Sequence, residues 1–141
     1  MDTINQPFEI IDHIADIGII VRGKNLEELF ARAAIGLFSL ITDIKYIKSE
    51  IKREIKLVAS NCEDLLIFWL NELIYLFEVE HVIFCHFRII EMSTTKISAI
   101  CLGETIKSKH HISREIKAAT YHMLNITRHN NNLKAQVIFD L

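Results

Sequence analysis

The sequence predicts an α+β fold in which a mostly antiparallel sheet carries two main helices. Two segments have apolar residues at helical spacing, and most of the remaining apolar runs are short and rich in β-branched residues. Short polar turns join consecutive runs, which favours antiparallel pairing. The chain has 141 residues with only 4 Gly and 1 Pro, so it offers no linker at which to divide it. We expect a single domain over residues 1–141.

The first half of the chain is predicted to form a strand, a helix and a second strand. Residues 17–21 are a β-branched run that Gly23 ends. A helix is predicted over 26–41, because Asn25 and Glu28 have the spacing of a capping box. Apolar and charged residues alternate over much of 47–59, which predicts a strand with one wet face.

The second half is predicted to form one helix and four strands. Ser60 and Glu63 have the spacing of a second cap, so a helix is expected over 62–77. This helix is nearly apolar all round, which predicts that it is the central core helix. The expected strands and turns are strands 82–92 and 96–102 around a turn at 93–95, and strands 115–127 and 133–139 around an Asn-rich turn at 129–132.

Composition excludes several classes of protein. Sixteen basic and 18 acidic residues give a net charge of −2, so the basic surface of a nucleic-acid-binding protein is absent. Three cysteines without C-x-x-C spacing predict neither a disulfide framework nor a zinc site, and they fit a reducing compartment. The first residues lack a signal-peptide pattern and no apolar stretch reaches the length of a membrane span. We therefore expect a cytoplasmic protein without membrane contact.

Common catalytic motifs are also missing from the sequence. It contains no nucleophile elbow, no P-loop and no dinucleotide-binding glycine pattern. The seven histidines lack metal-ligand spacing and are predicted to be polar surface or loop residues. Trp69 and the phenylalanines fall at core spacing, which favours packing over base stacking.

Two acidic places remain as candidates for chemistry. One is Asp12-His13-Ile14-Ala15-Asp16, before an apolar strand, and the other is Asp140-Leu141 after the last strand. The Asp140 carboxylate and the carboxylate of Leu141 would repel each other at a strand end, and a proton or a cation would relieve this. Such oxygens suit Ca²⁺ or Mg²⁺. From the residues alone, solvated acids at strand ends are the simpler explanation.

Several motifs, taken in order, resemble the archease family and together cover nearly the whole chain. The matching segments are FEIIDHIADIGI at 8–19, NLEELF at 25–30, EDLL at 63–66, WLNEL at 69–73, YLF at 75–77, GE at 103–104, His110, EIKAATYH at 115–122 and VIFDL at 137–141. The sequence departs from the family pattern at Ile14, where Thr is usual. It departs again at 111–113, where His-Ile-Ser replaces the more common Glu-Pro-Lys.

The resemblance implies an accessory protein without catalytic residues of its own. Archeases activate the GTP-dependent RNA ligase of the RtcB type, which joins tRNA exon halves and repairs broken RNA. They promote formation of the ligase–GMP intermediate and repeated turnover, so RNA would be met only through the ligase.

The resemblance also implies a divalent-cation site. It is carried over onto Asp16, Asp140 and Leu141, with Ca²⁺ preferred and Mg²⁺ or Mn²⁺ as alternatives. Further functional contacts are expected at Asp12, His13, Lys117 and His122. Two other functions stay open. One is a general chaperone or RNA-processing modulator that binds through an apolar surface; the other is a metal-dependent hydrolase using Asp16 and Asp140.

Overall fold

The computed structural model describes residues 7–12 and 16–141. These residues form seven strands and two α-helices, with one short 3-10 helix at Ile44–Tyr46. The elements in chain order are β1 (Phe8–Asp12), β2 (Asp16–Gly23), α1 (Leu26–Ile41), β3 (Ile51–Val58), α2 (Cys62–Glu80), β4 (Val82–Met92), β5 (Lys96–Thr105), β6 (Ala118–His129) and β7 (Asn132–Asp140).

The strands form two sheets rather than one. The first has the order β1-β2-β7-β6 and the second has the order β3-β5-β4. Each pairing in the described residues is antiparallel, including the predicted pairs β4–β5 and β6–β7. The α+β class and the antiparallel pairing are therefore confirmed. The pairing of β2 with β7 brings the two ends of the described chain together.

Helix α1 joins the two sheets. Its N-terminus is capped as predicted, since the Asn25 side chain accepts a hydrogen bond from the Glu28 N–H at 2.9 Å. The Glu28 carboxylate in turn accepts from the Lys24 N–H at 3.0 Å. One face of α1 lies against β2 of the first sheet and another against β4 of the second. Its side chains at Leu29, Ala33 and Leu37 are fully buried, so this helix is the centre of the core.

Helix α2 begins at Cys62 as predicted, but its cap, its last residue and its burial differ from the prediction. Asn61 rather than Ser60 is the cap, because the Asn61 side chain accepts from the Asp64 N–H. The helix continues to Glu80, and His81 ends it in a left-handed conformation. The prediction that it is the central core helix is wrong, since Phe68, Tyr75 and Val79 are exposed. Sequence hydropathy does not distinguish these exposed apolar residues from core residues.

Other element boundaries differ from the predicted ones because tertiary contacts hold neighbouring segments outside regular secondary structure. β1 was not predicted as a separate strand, and β3 begins at Ile51 because the 3-10 helix precedes it. β6 begins at Ala118 because the 106–117 loop bonds to the end of α1. The Ser113 N–H donates to the Ile41 carbonyl oxygen, and the Thr42 hydroxyl donates to that of His111. Neither helix is long and apolar enough to cross a bilayer.

A carboxylate row at the edge of the first sheet

Asp16 and Asp140 face each other across two neighbouring strands. Asp16 is the first residue of β2, Asp140 is the last of β7, and the two are direct partners in the register. On its other side Asp140 is the partner of Ala118, the first residue of β6. Directly opposed residues of an antiparallel pair share a face, with Cβ atoms about 4.5–5.5 Å apart. Ala118, Asp140 and Asp16 therefore form one row across three strands.

The row lies on the face of the sheet away from the helices. Side chains alternate along a strand, and the neighbours Ile17 and Phe139 are fully buried in the core. Asp16 and Asp140 consequently point the other way. Asp16 is half-buried and Asp140 is exposed.

The described residues do not provide a partner for every carboxylate oxygen of the row. The Oδ1 atom of Asp16 is buried and has no hydrogen-bond partner among the residues that the structure describes. Within the described residues neither Asp16 nor Asp140 forms an ion pair. A buried carboxylate oxygen without a partner costs free energy unless a proton or a cation joins it. Two facing carboxylates with such an oxygen fit a hard divalent cation.

Two further predicted residues lie beside this row. The Lys117 N–H donates to the Asp140 carbonyl oxygen at 2.9 Å, so main-chain pairing extends one residue before β6. The Lys117 side chain is exposed. Leu141 is half-buried and packs against the hydrophobic core, which holds the backbone next to Asp140 in place.

The structure does not bring the other predicted residues into the row. Asp12 is the register partner of Ile17, so strand alternation puts it on the opposite face from Asp16. His122 is exposed and lies four positions beyond Ala118, about 13 Å along the strand. His13 lies outside the described residues. Within 7–12 and 16–141 no group of three or more His, Cys, Asp or Glu side chains is placed to hold a metal ion.

Asn71 positions the row and was not identified from the sequence. Its Oδ1 accepts from the Ala119 N–H at 2.8 Å, and its Nδ2 donates to the Ala119 carbonyl oxygen at 3.2 Å. Ala119 lies on the outer strand of the sheet, directly after the row residue Ala118. An amide in the middle of an otherwise apolar helix was the available signal, because a half-buried amide needs partners.

A second polar cluster holds the loop that leads to Lys117. Glu104 is fully buried, and its Oε1 lies 3.7 Å from Lys107 Nζ and 3.6 Å from Lys109 Nζ. His110 lies in a loop, as the sequence predicts, but its ring is only 4% exposed. Its Nδ1 accepts from the Lys107 N–H at 2.8 Å, which puts the proton of the neutral ring on Nε2, 3.4 Å from Glu104 Oε2.

The environment of Glu104 favours its ionised form. The Lys48 N–H donates to Oε2 at 2.7 Å, and mainly for this reason the pKa of Glu104 falls from 4.5 to about 2. Burial acts in the opposite direction, while His110 and Lys109 lower the pKa further. The cluster therefore ties the 106–117 loop to the second sheet through a charged carboxylate.

The fold places this chain in a class of small α+β proteins in which two helices pack against two antiparallel sheets. The model of the Archease protein family matches residues 8–141. A protein of Methanosarcina barkeri named "Protein archease" is 40% identical over 100% of both chains. The relative of that name from Methanothermobacter thermautotrophicus is 32% identical over 95% of this chain and 98% of its own. The chain therefore belongs to the archease family.

Two solved structures share the fold. The solution structure of protein 1598 of Methanobacterium thermoautotrophicum has a TM-score of 0.81 at 30% identity, covering 96% of this chain and 99% of its own. The crystal structure of an archease from Thermotoga maritima, described as a possible chaperone, has a TM-score of 0.65 at 26% identity. It covers 93% of this chain and 94% of its own.

Proposed function

We propose that this protein is a non-catalytic activator of a GTP-dependent RNA ligase of the RtcB type, acting in the cytoplasm in tRNA splicing and RNA repair. The observation that carries the proposal is the carboxylate row, in which Asp16 and Asp140 are register partners and one Asp16 oxygen is buried without a partner in 7–12 and 16–141. Family membership supplies the class of partner. The near-neutral charge fits a protein that meets RNA only through the ligase.

The row would hold a divalent cation, with Ca²⁺ as the first candidate and Mg²⁺ or Mn²⁺ as alternatives. Asp16 and Asp140 would bind it through carboxylate oxygens, and Leu141 through a main-chain or terminal oxygen. When bound, such a cation supplies positive charge for the phosphate groups of GTP. The exposed amine of Lys117, beside the row, would contact the same anionic groups.

Single-turnover guanylylation of the ligase tests the activation directly. We expect the wild-type protein to accelerate formation of the ligase–GMP intermediate and Asp16→Asn and Asp140→Asn to fail. Glu54→Gln, an exposed acid on β3 of the other sheet, is the matched control and should accelerate like wild type. Full acceleration by both row variants would contradict the role of the row, and no acceleration by wild type would contradict the activator function itself.

A chaperone function is the second candidate, and a specific observation favours it. Phe68, Tyr75 and Val79 expose apolar surface on one helix, and exposed apolar clusters mark interaction sites. The Thermotoga maritima relative is described as a possible chaperone. Suppression of aggregation of unrelated client proteins, without an effect on the ligase, would support this function over the first.

A further inference from the structure

The outward side of α2 is an acidic and aromatic surface that is linked to the carboxylate row through strand β6. Its residues recur at three- and four-residue spacing and therefore lie on one face of the helix. We call it the α2 outer face and define it by Asp64, Phe68, Glu72, Tyr75 and Val79. Three of these are large apolar residues exposed by 43–55%.

Strand β6 extends the face toward the first sheet. The Tyr121 hydroxyl donates to Asp64 Oδ1 at 2.8 Å, and Tyr121 is itself 53% exposed. Asn71, on the same side of α2, holds Ala119 by two hydrogen bonds. Ala118 precedes it and lies in the row with Asp140 and Asp16. The α2 outer face and the row are therefore connected through the first residues of β6.

All charged residues of α2 are acidic. The helix contains five acidic residues (Glu63, Asp64, Glu72, Glu78 and Glu80) and no Lys, Arg or His. In the described part of the chain only Glu80 has a cationic partner, Arg53 at 3.0 Å. The remaining carboxylates leave a negative potential around the exposed aromatic residues.

The negative charge of the α2 outer face limits which kinds of partner can bind there. Nucleic acid and anionic lipid surfaces are repelled by a helix of this sign. A second copy would bring two acidic faces together, which is also unfavourable. A basic protein surface with apolar side chains between its lysines and arginines is complementary in both respects. An enzyme that holds RNA and GTP phosphates carries lysines and arginines around its active site, which supplies the basic part of such a surface.

We propose that the α2 outer face docks on a basic and apolar surface of the RNA ligase, beside the place where the carboxylate row acts. This inference rests on the proposed function. Tyr75 and Phe68 supply buried aromatic contact area, and Glu72 supplies charge attraction. The surface determines affinity and orientation, while the row determines the effect on guanylylation.

Binding of the ligase to single variants tests this proposal. We expect Tyr75→Ala and Glu72→Lys each to raise the dissociation constant for the ligase by about 10-fold or more. The matched controls are Tyr46→Ala and Glu54→Lys, which change exposed residues elsewhere. Their dissociation constants should stay within about 3-fold of the wild-type value. Thermal unfolding of each variant verifies that it is folded. Raising NaCl from about 50 to about 500 mM should weaken wild-type binding more than Glu72→Lys binding.

The outcomes separate the two proposals. Wild-type affinity of both α2 variants, with normal stimulation of the ligase, would overturn the docking surface and leave the activator function standing. A wild-type protein that neither binds nor stimulates the ligase would contradict both. Self-association in analytical ultracentrifugation that Tyr75→Ala abolishes would assign the face to a second copy and overturn the proposal.

Discussion

The side-chain amide of Asn71 closes the free edge of β6 at Ala119, taking the place that a neighbouring strand would occupy. It satisfies both backbone groups of that residue. Without it, a half-buried N–H and C=O would lose their partners at the point where β6 begins. The position of the carboxylate row therefore depends on a helix residue that is not part of the row.

Replacing Asn71 by Ala should lower the free energy of unfolding by about 1–3 kcal/mol, the usual cost of leaving buried polar groups unsatisfied. Asn125→Ala is the control, because Asn125 is an exposed residue of the same strand. Urea denaturation of both variants measures the difference. Equal midpoints for the two variants would show that the Asn71 bonds do not stabilise the edge.

Removing the charge of Asp16 should separate cation binding from folding. Wild-type protein is expected to gain about 2.7 kcal/mol of stability when Ca²⁺ exceeds its dissociation constant 100-fold. Asp16→Asn should not respond to Ca²⁺, yet should be at least as stable as wild type in EDTA, since one of two facing charges is gone. Thermal unfolding with Ca²⁺ and with EDTA measures both effects. A wild-type transition that Ca²⁺ leaves unchanged would argue against the cation site.

Extending the chain beyond Leu141 tests the last proposed ligand. A terminal carboxylate would move away from the row in a tagged chain, whereas the main-chain carbonyl oxygen of Leu141 would stay. If the carboxylate is a ligand, we expect the tag to weaken Ca²⁺ binding by about 10-fold or more, the loss of a charged ligand. Isothermal titration of tagged and untagged protein measures it. Equal affinities would leave only the carbonyl oxygen as the Leu141 ligand.

The buried Glu104 should make stability depend on acid pH. Its pKa is lowered in the folded state from 4.5 to about 2, so its stabilising effect is complete above pH 4.5 and is lost as the pH falls toward about 2. Glu104→Gln should be less stable at neutral pH and should lose part of the stability slope in that window. Denaturant midpoints across the pH range report this. Identical slopes for Glu104→Gln and wild type would refute the assignment.

A methyl group at Gly103 should destabilise the second sheet. A Cβ atom there would lie 1.8 Å from the Ile83 carbonyl oxygen, which is a backbone clash. We expect Gly103→Ala to cost about 4 kcal/mol or more. Gly36→Ala in α1 is the comparison: its Cβ would meet only side-chain atoms at 3.1–3.4 Å, and Ala favours the helix, so its effect should stay within about 1 kcal/mol. Urea denaturation ranks the two.

Local patterns in the sequence predicted the helices and most strands because capping and periodicity act over a few residues. The α1 cap at Asn25 shows this, and so does the alternation in β3. Long-range pairing has no such local signature. That β2 pairs with β7, and that Asp16 thereby opposes Asp140, follows from the register of strands at opposite ends of the chain.

The candidate site was located by resemblance more than by pattern, since from the residues alone solvated acids at strand ends are the simpler explanation. Residues that look alike in the sequence differ in their burial in the structure. Phe68 and Trp69 are neighbours in one apolar run, yet Trp69 is buried and donates to the Phe30 carbonyl oxygen, while Phe68 is exposed. His110 is buried beside Glu104, a contact that the histidine pattern in the sequence does not reveal.

The pairing of β2 with β7 also has a consequence for the order of folding. The two halves of the carboxylate row lie near opposite ends of the chain, so the row exists only after almost the entire polypeptide has been brought into register. Such a non-local closure is slow to form and comes late. A cation bound there would recognise the finished protein and no partly folded species, and it would slow unfolding without hastening folding.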